Sequence, residues 1–189
     1  MDFPFNALGL SHKYMTEHLR KGDVCIDATA GRGRDTLFLA KLVGDEGKVY
    51  AFDIQESAVS STKELLSSEG VENAEVHLAC HSKMAKFVKE DSVSAVMFNF
   101  GWLPGGDHNT FSHGATSCHA IEEGLRLLKK DGKMTLCLYC GKETGYEEKN
   151  TVLDFLRALD QKKYSVLLHE FINRKNDPPV LAVITKDAL

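Results

Sequence analysis

A chain of 189 residues, 43% apolar and 26% charged, holds enough apolar matter for one compact core and little for a second, which excludes a disordered or fibrous protein and predicts a single domain over residues 1–189. A net charge of −4 excludes attraction of nucleic acid by a global positive field, so a partner of that kind must meet a local basic patch. No apolar run approaches the ~20 residues that cross a bilayer, and Met1 to Leu10 lacks the basic start and long apolar stretch of a secretory signal, which predicts a cytoplasmic protein with no membrane partner.

From Asp23 onward, short β-rich runs alternate with amphipathic stretches, the signature of an α/β fold with a mostly parallel sheet and helices on both faces. Val24 to Ala28 predicts the first strand. A glycine turn follows, and Asp35 to Val43 predicts a helix that sets Leu37, Phe38, Ala40, Leu42 and Val43 mostly along one face. Lys48 to Ile54 reads as a strand, Ala58 to Ser68 as a helix, and Ala74 to Cys80 as a third strand. Val93 to Phe100 is a fourth strand, followed by a long Gly- and His-rich loop from Gly101 to Gly114 and a helix from Ala115 to Leu128. Asp131-Gly132 marks a turn. Lys133 to Tyr139 is then a fifth strand, Glu147 to Leu159 a helix, Tyr164 to Phe171 a sixth strand and Pro179 to Thr185 a seventh. The last two strands are joined by a loop instead of a helix, so about seven strands and five or six helices should form a Rossmann-like sheet that ends in an antiparallel hairpin.

The five cysteines, Cys25, Cys80, Cys118, Cys137 and Cys140, are odd in number and mostly sit in apolar runs, as small core residues do in a reducing compartment. On a strand, Cys137 and Cys140 point to opposite faces, which argues against a metal or redox pair. His108, His113, Cys118 and His119 match no compact zinc spacing, so no metal is expected.

The strongest chemical signal is Asp27-Ala28-Thr29-Ala30-Gly31-Arg32-Gly33-Arg34-Asp35, directly after the first strand and opening a helix. Gly31 and Gly33 let the backbone turn tightly and approach a ligand. Asp27, at the carboxyl end of its strand, can accept from a ligand ammonium group. Asp53 ends the second strand about 20 residues on, where a nucleotide-binding fold presents an acid to ribose hydroxyls. A dinucleotide pyrophosphate would favour a third glycine, but that position holds Thr36, and Asp27 would repel phosphate. Both departures suit a zwitterionic, phosphate-free ligand such as S-adenosylmethionine.

From about Asp23 to Thr185 the chain resembles the class I methyltransferases. More narrowly, it resembles the rRNA methylase family typified by a bacterial enzyme that methylates the 5-aminomethyl group of wobble (2-thio)uridine in tRNA. The residues that carry this are Asp27-Ala28-Thr29-Ala30-Gly31-x-Gly33-x-Asp35-Thr36, Asn99-Phe100-Gly101-Trp102-Leu103-Pro104-Gly105-Gly106-Asp107, and Asn173-Arg174-x-Asn176-Asp177-Pro178-Pro179. The family has Asn and His where Arg32 and Arg34 stand, and an acid where Ala79 stands.

The resemblance implies S-adenosylmethionine as cofactor, held by Asp27, Thr29, Ala30, Gly31, Gly33, Asp35, Thr36, Asp53 and Ile54, with His81 and Ser82 at the adenine edge and Asn99 at the methyl end. It makes Asn99 the acceptor that orients the target amine, Trp102 a stacking surface for the base, and Gly105, Gly106, Arg174 and Asp177 substrate contacts. Asp107 or His108, in the same loop as Trp102, could take the proton that the amine loses. Arg174 and Lys175 are candidate phosphate contacts, and Arg32, Arg34, Lys83 and Lys142 would extend a basic rim. The implied partner is tRNA in its anticodon region, and a homodimer is the implied assembly. Two other functions share these residues: methylation of rRNA or a small-molecule amine, and, from another class, an NAD-binding oxidoreductase or a non-catalytic nucleotide-binding module.

Overall fold

In the computed structural model, residues 3–100, 114–139 and 142–188 are described, with backbone alone at 142–145. The candidate residues Trp102, Gly105, Gly106, Asp107 and His108 lie outside the described residues, as do His113, Cys140 and the side chain of Lys142. The elements run α1 (Ala7–His18), β1 (Val24–Asp27), α2 (Arg34–Val43), β2 (Lys48–Asp53), α3 (Glu56–Ser68), β3 (Ala74–Leu78), a 3₁₀ turn (His81–Lys86), β4 (Val93–Phe100), α4 (Gly114–Leu127), β5 (Leu128–Leu138), α5 (Lys142–Arg157), β6 (Tyr164–His169) and β7 (Val180–Lys186).

All seven strands join one sheet in the order β3-β2-β1-β4-β5-β7-β6. The first five strands in sequence pair in parallel, β7 runs antiparallel to β5, and β6 antiparallel to β7. This is the Rossmann-like sheet with a terminal antiparallel pair that the sequence predicts. Sheet order reverses between β1 and β4, and the crevice beyond the carboxyl ends of those strands is where such sheets bind ligands.

Because side chains alternate along a strand, β1 and β4 each feed two cores. Ile26, Val96, Phe98 and Phe100 pack with Met84, Ile121, Leu125 and Leu156 on one face. Cys25, Ala95 and Met97 pack with Leu39, Val43 and Met15 on the other, under α1 and α2. Phe98 and Phe100 stack at 5.0 Å with planes 15° apart, and burying one such ring contributes about 2–3 kcal/mol. The same period puts Asp27, two residues past Cys25, and Asn99, two past Met97, on the face that α1 and α2 cover.

Helix α1 is absent from the sequence expectation. Its buried side is small and partly polar (Ala7, Gly9, Ser11, Met15), so the apolar stripe that reveals an amphipathic helix is faint. What starts it is Asn6, whose side chain accepts from the Gly9 N–H at 2.8 Å. What places it is packing of Ala7 against Cys137, Leu181 and Val183 and a buried Ser11–Thr135 hydroxyl pair at 2.8 Å.

The turn expected at Asp131-Gly132 is instead a bulge inside β5. Val93 pairs with Leu128 and Ala95 already with Lys133, so the extra residues arch out, with Asp131 at a φ of 63°. Other shifts are boundary moves: β3 stops at Leu78, α5 begins at Lys142 and β7 at Val180.

At the sheet edge opposite the β1–β4 crevice, Lys186 is only 5% exposed. Its ammonium donates to Asp91 Oδ1 at 2.7 Å and to the Leu128 and Leu125 carbonyls at 2.7 and 3.1 Å. Those carbonyls lie where α4 gives way to β5 and lack helical partners. Lys186→Met should therefore lower the urea unfolding free energy by about 2–4 kcal/mol, by leaving buried acceptors unpaired. A loss below about 0.5 kcal/mol would show the lysine to be incidental.

Candidate active site

The chain leaving β1 crosses the end of β2 and turns back into α2. The Ala30 N–H donates to the Phe52 carbonyl at 2.9 Å, and the Gly33 N–H to the Ala30 carbonyl at 2.7 Å. Gly31 and Gly33 have φ values of 53° and 79°, a left-handed region costly to other residues. A Cβ on Gly33 would also stand 2.9 Å from Thr62 Cα and Cγ2 on α3, and Thr62 Oγ1 donates to the Gly31 carbonyl at 3.1 Å. The turn is thus clamped against its neighbours.

Asp27 is 1% exposed. Its Oδ2 accepts from Thr36 Oγ1 at 2.6 Å and its Oδ1 from the Thr29 N–H at 3.1 Å. Asp53, half-buried at the end of β2, accepts the Gly31 N–H on Oδ2 and the Gln55 N–H on Oδ1, both at 2.9 Å. Each Asp53 oxygen keeps a second lone pair, so the carboxylate is fixed in plane and can still accept from a pair of hydroxyls. Ile54, beside it, is 53% exposed and offers an apolar surface at the same edge.

The site is electronegative. Burial pushes Asp27 up to about 7, helped by the fields of Asp35 and then Asp53 and opposed by the bonds from Thr36 and Thr29. A ligand bearing a positive group here would relieve that strain.

Asp35, on the first turn of α2, is buried and bonded through Oδ1 to His12 Nε2 at 2.7 Å. The His12 ring stacks on Phe38 at 4.1 Å and 23°, with Phe3 edge-on to both rings at 6.1 and 6.3 Å. His12 thus joins the cluster unforeseen, because the helix that carries it was itself hidden in the sequence. Tyr139, just after β5, is partly covered: burial raises its hydroxyl to about 12, with the fields of Cys137 and Asp35 contributing.

Asn99 ends β4 beside this cluster. Its N–H donates to Thr29 Oγ1 at 2.8 Å, while its amide Oδ1 is shut from solvent and has no hydrogen-bond partner among the described residues. An orphaned buried acceptor costs roughly 1–3 kcal/mol, and it marks a place where a donor is missing. His81 opens the 3₁₀ turn after β3, facing inward against the edges of Phe98 and Phe100 at 5.8 and 6.1 Å. It is bonded to the backbone of Ala28, and burial holds its pKa below the ordinary value, so its imidazole is neutral, with Nε2 unpartnered. Ser82 gives its hydroxyl to Cys80 Sγ at 3.1 Å.

The β6–β7 loop reaches the same edge, because Val180 at the start of β7 pairs with Leu138 at the end of β5. The Arg174 guanidinium carbon sits 3.7 Å over the Phe171 ring, and Nη2 donates to the Phe5 carbonyl at 2.8 Å. The Tyr146 hydroxyl donates to Asp177. Arg32, Arg34, Lys83, Arg174 and Lys175 are all exposed. Among the described residues, no group of three His, Cys, Asp or Glu could hold a metal ion. A concavity of about 620 Å³ lined by Lys21, Lys41, Gly44 and Asn73 lies at the far edge, away from these groups.

Comparison with known proteins bears on this geometry. The family described as "Putative rRNA methylase" matches residues 49–185. The chain is 34% identical over 191 residues to "tRNA (mnm(5)s(2)U34)-methyltransferase, chloroplastic" of Arabidopsis thaliana, covering 96% of this chain and 70% of that protein. It superposes on the crystal structure of a "putative rRNA-methylase" from Clostridium thermocellum with a TM-score of 0.94 at 41% identity, over 97% of this chain and 98% of that one. A "putative methyltransferase" from Streptococcus mutans, solved in complex with S-adenosylhomocysteine, matches with a TM-score of 0.88 at 36% identity, over 97% and 99% of the two chains.

The Asp27 geometry carries a pH dependence. Its carboxyl titrates near the ordinary value of about 3.9 when unfolded and about 7 when folded. Between those values the folded chain binds the extra proton, so stability falls as pH rises through that window. Asp27→Asn removes the charge; its amide oxygen can still accept from the Thr29 N–H, while its NH2 must donate to Thr36 Oγ1, reversing that bond. In thermal or urea unfolding, its stability relative to the parent should improve by about 1–3 kcal/mol between about pH 5 and pH 8; a gap that stays constant with pH contradicts this account.

Proposed function

This chain belongs to the Putative rRNA methylase family and is an S-adenosylmethionine-dependent methyltransferase; from that premise we propose that it N-methylates the 5-aminomethyl group of wobble (2-thio)uridine in tRNA, giving the 5-methylaminomethyl nucleoside. The observation that carries the reading is the buried Oδ1 of Asn99, without a partner among the described residues, at the crevice between β1 and β4. The name of the Arabidopsis relative supports the substrate.

The residues present fit the cofactor. Asp53 takes the ribose hydroxyls, Ile54 lies along the adenine, and His81 and Ser82 close the adenine end. Thr29, Ala30, Gly31 and Gly33 provide the close backbone approach. Asp27 and Asp35 face the α-ammonium, and Thr36 fixes Asp27. Where a dinucleotide motif would have its third glycine, Thr36 instead holds a carboxylate in the path of any pyrophosphate, which disfavours NAD.

When bound, S-adenosylmethionine supplies a methyl group activated by its sulfonium. Asn99 Oδ1 accepts an N–H of the incoming amine and aims the nitrogen lone pair at that carbon, so alignment is the main contribution of this residue. The N–C bond forms as the C–S bond breaks, S-adenosylhomocysteine leaves, and the proton lost by nitrogen passes to Asp107 or His108. By the family resemblance, Trp102, Gly105, Gly106, Arg174 and Asp177 are the residues that would contact the RNA acceptor. Arg32, Arg34, Lys83 and Lys175 form the local basic rim that a chain of net charge −4 needs to meet RNA phosphates. None of the described helices is long and apolar enough to cross a membrane; the reading places the protein in the cytoplasm with its tRNA, as one methyltransferase domain over residues 1–189.

Mass spectrometry of nucleosides from tRNA incubated with the protein and cofactor should show one methyl gained at aminomethyl(thio)uridine. Methyl label entering only rRNA or small amines overturns the substrate assignment. Asn99→Ala should retain S-adenosylhomocysteine affinity within a few-fold and lower kcat about 10²–10³-fold; unchanged turnover removes Asn99 from the mechanism. Asp53→Ala should weaken S-adenosylhomocysteine about 10–100-fold, the worth of charge-assisted hydrogen bonds to hydroxyls.

Helix α1 enters through His12. His12→Ala should weaken S-adenosylhomocysteine by roughly 3–10-fold yet leave methylthioadenosine, which lacks the amino-acid end, unaffected. Equal weakening of both ligands would reduce His12 to a packing residue.

A further inference from the structure

We propose that Phe5, Phe171 and Arg174 form a stacking platform for an unpaired nucleobase of the RNA acceptor, beside the base that receives the methyl group; the inference rests on the RNA reading above. Three observations carry it.

The first is position. Val180 pairs with Leu138, so the loop after β6 emerges at the edge of the sheet where Asp27, Asp53 and Asn99 lie. Ala7 packs on Cys137, Leu181 and Val183, which brings Phe5 to that same rim.

The second is geometry. The Arg174 guanidinium lies 3.7 Å over Phe171 and 5.9 Å from the Phe5 ring, the two rings meet edge-on at 5.5 Å and 75°, and Nη2 is tied to the Phe5 carbonyl. An arginine held this way does not swing out to seek a phosphate. It presents a fixed cationic plane, a surface on which a base stacks with both dispersion and charge in its favour. The third is exposure: Phe5 is 71% and Ile172 94% exposed, two large apolar side chains flanking a guanidinium at the mouth of a cleft that handles a base.

The charge favours RNA over a second copy of the chain. Glu170 and Asp177 are exposed at the two ends of this loop, but a symmetric contact centred on the platform would set the Arg174 guanidinium against its own copy. RNA brings the opposite charge and a supply of flat, unpaired bases.

The experiment uses a tRNA anticodon hairpin with 2-aminopurine at each loop position in turn, because stacking quenches that base. The parent should bind the hairpin and quench at a position flanking the target. Phe5→Ala and Arg174→Lys, the latter keeping the charge and losing the plane, should abolish the quench and weaken hairpin binding about ten-fold. Unfolding temperature and S-adenosylhomocysteine affinity should not change. Phe5→Trp should restore both signals. For Phe5→Ala the salt dependence of binding should keep its slope, since no phosphate contact is lost.

If the parent binds and methylates tRNA while Phe5→Ala and Arg174→Lys bind and quench as it does, the platform is overturned and the substrate reading stands. If the parent neither binds nor methylates tRNA, the substrate reading fails and the platform with it. If the variants bind RNA normally but sediment as smaller species than the parent, the face joins copies of the chain and the proposal is wrong.

Discussion

The hydrogen bond from Thr36 to Asp27 is the contact on which the site depends. Burying a carboxylate at the end of β1 is costly, and two donors, Thr36 Oγ1 and the Thr29 N–H, offset only part of the cost while Asp35 and Asp53 add to it. The fold therefore holds a carboxyl poised between its neutral and charged forms at the crevice where the sheet changes direction. A ligand with a positive end relieves it, and a diphosphate aggravates it. This is how a single threonine where a dinucleotide motif has glycine comes to decide between two cofactor classes on otherwise similar sheets.

Period-two alternation then divides the labour along β4. Phe98 and Phe100 point into the larger core and support His81, whereas Asn99, between them, points to the other face, where its backbone is tied to Thr29. Thr29 lies between the Asp27 carboxylate and β4, so the acceptor for the amine and the acid for the cofactor are linked through one residue. A change that loosens the turn after β1 would disturb both. The clamp of Thr62 on Gly31 and Gly33 guards against this.

The succession of strands and helices along the chain and this glycine turn were legible because both rest on local rules: alternation, run length and backbone freedom at glycine. Asp27, Gly31, Gly33 and Asp53 could be named from spacing, Thr29, Thr36 and Asn99 from the family resemblance, and the fold gathers them around one crevice. Three features were not legible, each because distant contacts decide it. Helix α1 shows a small, partly polar buried side that makes sense only against β5 and β7, so His12 stayed hidden with it. Asp131-Gly132 has turn chemistry, but the pairing of β4 with β5 on both sides turns it into a bulge. Arg174 reads as a free cation, yet Phe171 and the Phe5 carbonyl, the latter 169 residues away in sequence, hold it flat.

Around the β1–β4 crevice the acids nearest the strand ends are buried while several cations stand exposed, which fits an acidic chain to the RNA acceptor proposed for it. The acids that matter, Asp27 and Asp35, are buried within the turn after β1, and Asp53 is half-covered by the backbone it binds. The exposed cations around them are Arg32, Arg34, Lys83 and Lys175, with Asp177 also exposed in the β6–β7 loop. A phosphate approaching the rim would meet these cations at contact distance, while dissolved salt screens charge beyond about 10 Å, and the cofactor as proposed would meet the acids in surroundings of lower dielectric, where charges act more strongly. The formal net charge of −4 is therefore a poor guide to the partner. The arrangement of the ionic groups around the β1–β4 crevice, acids inside and bases outside, is the better one.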